Sequence, residues 1–247
     1  MMMDIGKTKG FDPKAFTTPV TKSLPIFLLL DVSGSMKGEK LDCLNRSINE
    51  MILRLKAFKS EIRFLMGVLL FGSKSSIFLL PTDIEEIRWR GVSVDQSASS
   101  GRAEKGITPM GVTFKDLKSI IEDKEITPSH AYRPLVLLVS DGKPNKGWEE
   151  PLRALVLSGR SSKCDRMAMA IGKDANHEVL KLFVENTGNP VFLPQDASGI
   201  QDFFKLATMS VTMRTQSRNP NSLPSITDFS PNSSRKLDVF SYEEDFF

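Results

Sequence analysis

The run Leu24-Pro-Ile-Phe-Leu-Leu-Leu30 contains no polar side chain, the pattern of a strand covered on both faces, and it ends at the turn-forming cluster Asp31-Val-Ser-Gly-Ser35. Leu41, Leu44, Ile48, Ile52, Leu55 and Phe58 then recur every three or four residues and predict a long amphipathic helix that begins near Gly38. Residues 62–71 predict a second buried strand. The turn Gly72-Ser-Lys74 joins it to residues 75–80 as an antiparallel hairpin. A weaker apolar stretch, 87–94, predicts a short strand, and Asp95-Gln-Ser-Ala-Ser-Ser-Gly101 reads as a flexible loop of small residues.

Further along, Phe114, Leu117, Ile120 and Ile121 place one apolar face on a helix over 111–125, and residues 134–139 form another doubly buried strand closed by Ser140-Asp-Gly142. Trp148, Leu152 and Leu155 mark a helix, as do Val179 and Phe183, and Ile200, Phe203, Phe204 and Ala207. Residues 167–171 and 191–193 are late strands. Strands alternating with helices predict an α/β fold: a doubly wound, Rossmann-like, mostly parallel six-stranded sheet with one antiparallel edge strand and helices on both faces. We divide the chain into an N-terminal extension (1–23), one domain (24–211) and a C-terminal tail (212–247). The tail carries seven serines and three prolines with no apolar period, and is expected to be disordered or ordered only by a partner.

Composition narrows the class. A hydrophobic share of 40% and a charged share of 26% are those of an ordinary globular protein. The formal net charge of +3 is the small remainder of 33 basic and 30 acidic residues of interleaved sign, so no concentrated basic face for nucleic acid is expected. The longest apolar run is too short to span a bilayer, and the first 18 residues hold no apolar signal-like stretch. Cys43 and Cys164 stand alone in no metal-like spacing, as befits a reducing compartment. The expectation is a cytoplasmic protein that binds neither membrane nor nucleic acid.

The candidate chemistry lies at strand ends. Asp31, Ser33 and Ser35 leave the first strand, Asp141 leaves the strand at 135–139, and Thr108 precedes the helix before it. In a doubly wound sheet of order 3-2-1-4-5-6 the ligand crevice lies outside the carboxyl ends of strands one and four, where the Asp31 and Asp141 loops meet. Two carboxylates and three hydroxyls make an all-oxygen set suited to Mg²⁺, or Mn²⁺, rather than zinc or copper. An ion held by neutral hydroxyls stays electrophilic and favours an incoming Asp or Glu; the nearby helix start adds to that preference.

These residues resemble a known site. Asp31-Val-Ser-Gly-Ser35, Thr108 before Pro109-Met-Gly111, and Ser140-Asp-Gly142 are similar to the metal-ion-dependent adhesion site of von Willebrand factor A domains, a likeness that covers about residues 24–211. The resemblance implies that Ser33, Ser35 and Thr108 coordinate the ion directly and that Asp31 and Asp141 do so mostly through water. The phrases Leu138-Val-Ser-Asp-Gly-Lys-Pro-Asn145 and Arg166-Met-Ala-Met-Ala-Ile-Gly172 resemble the bacterial TerY-like, tellurite-resistance-associated branch, whose members accompany kinases and phosphatases in stress or defence systems. One departure is Gly106-Ile107 before Thr108, where many members have a second small residue.

The resemblance implies a binding module, not an enzyme: a Mg²⁺-dependent adaptor for a partner's carboxylate, the partner being a kinase or phosphatase of the same system. The alternative is a metal-dependent phosphohydrolase with Asp31 as nucleophile. Against it, the sequence has no D-x-D-x-T, no GxxxxGK[ST] and no G-x-S-x-G, and His130 and His177 lie far from Ser33 and Ser35. An extracellular adhesin would need the signal peptide and disulfides that are missing from the pattern. Arg102 and Lys105 are candidate selectors of acidic partners, although exposed loop charges usually do nothing specific. Trp148 is a rim contact or a core anchor, and both cysteines are expected as packed thiols. The acidic, aromatic end Phe240-Ser-Tyr-Glu-Glu-Asp-Phe-Phe247 raises weak self-association, with Glu243 or Glu244 reaching a neighbour's metal.

Overall fold

The structure, a computed structural model, describes residues 21–140, 144, 147–172, 177–194, 196, 198–221 and 238–239. Strands β1 (Ser23–Asp31), β2 (Arg63–Phe71), β3 (Ser75–Asp83), β4 (Leu135–Ser140), β5 (Asp165–Ala170) and β6 (Val191–Leu193) form one sheet in the order β3-β2-β1-β4-β5-β6. Five are parallel and β3 is antiparallel to β2. This is the six-stranded, doubly wound sheet expected from the pattern. A two-residue strand, β7 (Asp238–Val239), adds antiparallel to β6 at the far edge.

Every residue of β1 is buried, because the strand lies between β2 and β4 with helices over both faces. Alternation sorts its side chains. Leu24, Ile26, Leu28 and Leu30 enter one core with α1 (Glu39–Ala57) and α6 (Ser198–Gln216). Phe27 and Leu29 enter the other with α3 (Pro109–Glu122), α4 (Glu149–Leu157) and α5 (His177–Val184). Pro25 sits before pairing with β4 starts at Ile26, where β1 has one neighbouring strand and a missing N–H is tolerated.

The structure departs from the pattern in three places. Residues 87–94 form no strand; Ile87 and Val92 instead point into the α1/α6 core, so burial and not a sheet ladder explains their apolar character. The loop 95–101 contains a single helical turn, α2 (Ser97–Ser100). Helix α6 runs to Gln216, past the expected limit at 212, because Arg214 is 1% exposed and its guanidinium donates to Pro220 O at 2.9 Å and Arg133 O at 2.6 Å. Most of the tail, and the extension 1–20, lie outside the described residues.

Candidate metal centre

The candidate centre starts from two adjacent strand ends. Register between β1 and β4 runs from Ile26↔Leu135 to Leu30↔Val139, so the next residues, Asp31 and Ser140, stand side by side at the carboxyl edge. Ser140 Oγ donates to Asp31 Oδ2 at 2.7 Å across 109 positions of sequence. The other oxygen, Oδ1, accepts from Ser33 N–H at 2.9 Å. The Asp31 side chain is thus held on both oxygens, and the residue is only 3% exposed. Its role is to fix the loop that follows.

That loop turns through Gly34–Met36 in one 3-10 turn, with Met36 buried as its anchor and Gly38, at φ 85°, redirecting the chain into α1. The turn leaves Ser33 half-buried and Ser35 exposed, with their hydroxyl oxygens 2.9 Å apart. Neighbouring ligands of an octahedral Mg²⁺, each about 2.0–2.1 Å from the ion, are themselves about 2.9 Å apart. The two hydroxyls hydrogen-bond each other here, and their spacing matches two adjacent positions of such an ion once the shared hydroxyl hydrogen turns away. Lys40 Nζ donates to Ser35 O at 3.3 Å and braces the loop from the first turn of α1.

Thr108 enters from a second loop. It is the N-cap of α3, and its hydroxyl accepts from Gly111 N–H at 3.1 Å, with Pro109 as the first helical residue. That hydroxyl is engaged by its own helix rather than by Ser33 or Ser35. The Thr108 loop packs directly on the segment after β4: a Cβ on Gly147, at φ 99°, would lie 2.1 Å from Gly106 O, so only glycine fits there. Asp141 lies outside the described residues. Among those residues no three His, Cys, Asp or Glu side chains cluster in a metal-binding group, and the described part of the centre is the Ser33 and Ser35 hydroxyls on the loop that Asp31 orders.

Ser140 escaped the sequence reading as a site residue. A polar residue closing an apolar strand directly before Asp141 was the available signal. Arg102, the candidate selector of acidic partners, is already committed within the fold. Its Nε donates to Asp116 Oδ1 at 3.1 Å, its second terminal nitrogen pairs with the same carboxylate, and its first meets Glu104 Oε1 at 2.7 Å. Lys115 Nζ joins Glu104 Oε2 at 2.6 Å, and Ser75 Oγ reaches Asp116 Oδ2 at 3.2 Å. Hydrogen bonding to Asp116 pushes the Arg102 pKa up, and hydrogen bonding to Lys115 holds Glu104 below the usual carboxylate range. This chain of ion pairs fastens the Thr108 loop to α3 and β3.

Trp148 is 5% exposed inside the α3/α4/α5 core and is a core anchor. Cys43 and Cys164 are free and buried, and burial pushes the Cys164 thiol up to about 12, which leaves it inert at neutral pH. His130 is exposed and His177 half-buried at the start of α5. No helix among the described residues is long and apolar enough to cross a membrane.

Comparison with known proteins agrees with this fold. The family described as von Willebrand factor type A domain matches residues 26–206. None of the curated proteins matches significantly. Among solved structures, a von Willebrand factor type A protein from Catenulispora acidiphila superposes with a TM-score of 0.55 at 15% identity, covering 78% of this chain and 43% of that one. Proximal thread matrix protein 1 from the mussel byssus, with a zinc-occupied MIDAS motif, gives 0.53 at 16%, covering 76% and 47%. BatB from Bacteroides thetaiotaomicron gives 0.51 at 13%, covering 77% and 99%. The chain thus spans less than half the length of the first two. At these identities the likeness establishes the fold.

Proposed function

The chain belongs to the von Willebrand factor type A domain family, and from that premise we propose that it is a Mg²⁺-dependent protein-binding module, with Mn²⁺ able to replace Mg²⁺. Domains of this family commonly bind protein partners through a divalent metal site. In this reading Ser33, Ser35 and Thr108 hold the ion directly, Asp31 and Asp141 hold it through water, and an Asp or Glu of a partner supplies the remaining ligand. The observation that carries the reading is the loop at the β1 end: two hydroxyls 2.9 Å apart, set by a buried carboxylate that β4 locks from behind.

The same observation weighs against hydrolysis with Asp31 as nucleophile. Its oxygens are already hydrogen-bonded to Ser33 and Ser140, and the residue is only 3% exposed. The resemblance of the β4 and β5 phrases to the TerY-like branch supports a cytoplasmic setting in a stress, tellurite-resistance-like or defence system. It also supports a kinase or phosphatase of that system as the carboxylate donor.

The test is capture of partners by the full chain in Mg²⁺ and in EDTA, for wild type and Asp31→Ala. The proposal expects one acidic partner held by wild type in Mg²⁺ and lost in the other conditions. Retention in EDTA by both proteins contradicts it. Release of inorganic phosphate from a phosphoprotein in Mg²⁺, abolished by Asp31→Ala, would favour the hydrolase instead.

A further inference from the structure

Between β3 and α3 the chain passes back over the Asp31–Ser35 loop, and two side chains there have no part in the fold or metal reading described so far. Asp95 has φ 51°, a left-handed conformation that side chains other than Asp and Asn seldom adopt. Its N–H donates at 2.7 Å to the carbonyl of Val32, the residue between Asp31 and Ser33, while Val32 N–H donates to Phe71 O at 2.8 Å. Two residues on, Ser97 is fully buried, and its hydroxyl has no hydrogen-bond partner among the described residues.

Both side chains converge on Gly72. A Cβ at that glycine would lie 3.3 Å from Asp95 Oδ1, 3.3 Å from Ser97 Oγ and 3.3 Å from Ser33 N. A carboxylate oxygen, an unpartnered hydroxyl and the Ser33 N–H that holds Asp31 therefore border one polar niche behind the candidate metal loop. Buried hydroxyls are nearly always satisfied, so the unpartnered Ser97 hydroxyl calls for a role.

We propose that Asp95 and Ser97 are positioning residues for the metal site, an inference that rests on the Mg²⁺ reading above. The backbone bond to Val32 sets where Ser33 sits. The exposed Asp95 carboxylate, close to Gly72 as is Ser33 N, brings a negative charge to the loop that carries Ser33, which favours a cation there. Ser97, itself fully buried, keeps the inner wall of the niche polar.

The test is an electron paramagnetic resonance titration of free Mn²⁺ by the full chain, run on wild type, Asp95→Asn and Ser97→Ala, with thermal unfolding of each. Asn tolerates the left-handed backbone, so Asp95→Asn removes charge while keeping the loop. Both variants are expected to bind Mn²⁺ roughly tenfold more weakly with an unchanged thermal midpoint. Affinity equal to wild type in both, with or without a lower midpoint, overturns the positioning role and leaves the metal reading standing. A wild-type chain with no saturable Mn²⁺ binding removes the metal reading and this role together.

Discussion

Asp31 has two oxygens and two distinct jobs for them: Oδ1 orders the loop that carries Ser33 and Ser35, and Oδ2 accepts the hydroxyl that ends β4. Ser140→Ala leaves Oδ2 without that donor in a buried setting, and a loss of about 1–3 kcal/mol in unfolding free energy is expected from urea titration. Glu122 behaves differently. Burial pushes its pKa up, but the backbone N–H groups of Arg160 and Ser161, with Lys118, outweigh burial and hold it at about 2. A lowered folded pKa gives stability that is complete above the ordinary value near 4.5 and is lost as pH falls toward about 2. The urea midpoint of wild type should therefore drop more steeply than that of Glu122→Gln between about pH 5 and about pH 2; parallel curves would contradict this. Asp31, Ser33 and Ser35 were legible because they are neighbours in sequence. Ser140 was not, because sheet order alone sets it beside Asp31, and loop packing likewise brings Asp95 against Val32.

At the level of elements, the doubly buried runs 24–30 and 134–139 announced β1 and β4 to within a residue at each end, since a strand covered on both faces has no alternation to blur. The stretch 87–94 misled because an apolar loop lying on a core has the composition of a strand without its partners. Gly67 shows a constraint no pattern reveals: a Cβ there would meet the Phe27 ring at 2.8 Å, in the part of β2 where the register with β3 shifts. Gly67→Ala should cost about 1–3 kcal/mol through overpacking, and Phe27→Leu in the same chain should recover part of it. Chemical denaturation of the three variants measures both effects. The Asp116–Arg102–Glu104–Lys115 chain was equally hidden, because its members pair across a loop and a helix rather than at helical spacing. Arg102→Ala frees the Thr108 loop from α3, and faster amide hydrogen exchange over residues 101–108 is expected than over α1 in the same protein.

Across the whole molecule the sheet separates two ends. The carboxyl ends of β1 and β4 present Ser33 and Ser35, while the opposite edge is sewn by Tyr132 N–H to Ser23 O and Arg133 N–H to Asn221 Oδ1. These bonds lie away from the candidate centre, where Ser33 is half-buried and Ser35 exposed. A net charge of +3 supplies no strong field of its own, so in the proposed reading selection falls to the metal and the shape around it. The most direct measurement is an anomalous difference map from crystals of the full chain grown with Mn²⁺. The account predicts one peak in contact with the hydroxyls of Ser33 and Ser35, absent in Asp31→Ala crystals. A map with no peak on those hydroxyls, in crystals where Mn²⁺ binds elsewhere, would contradict it.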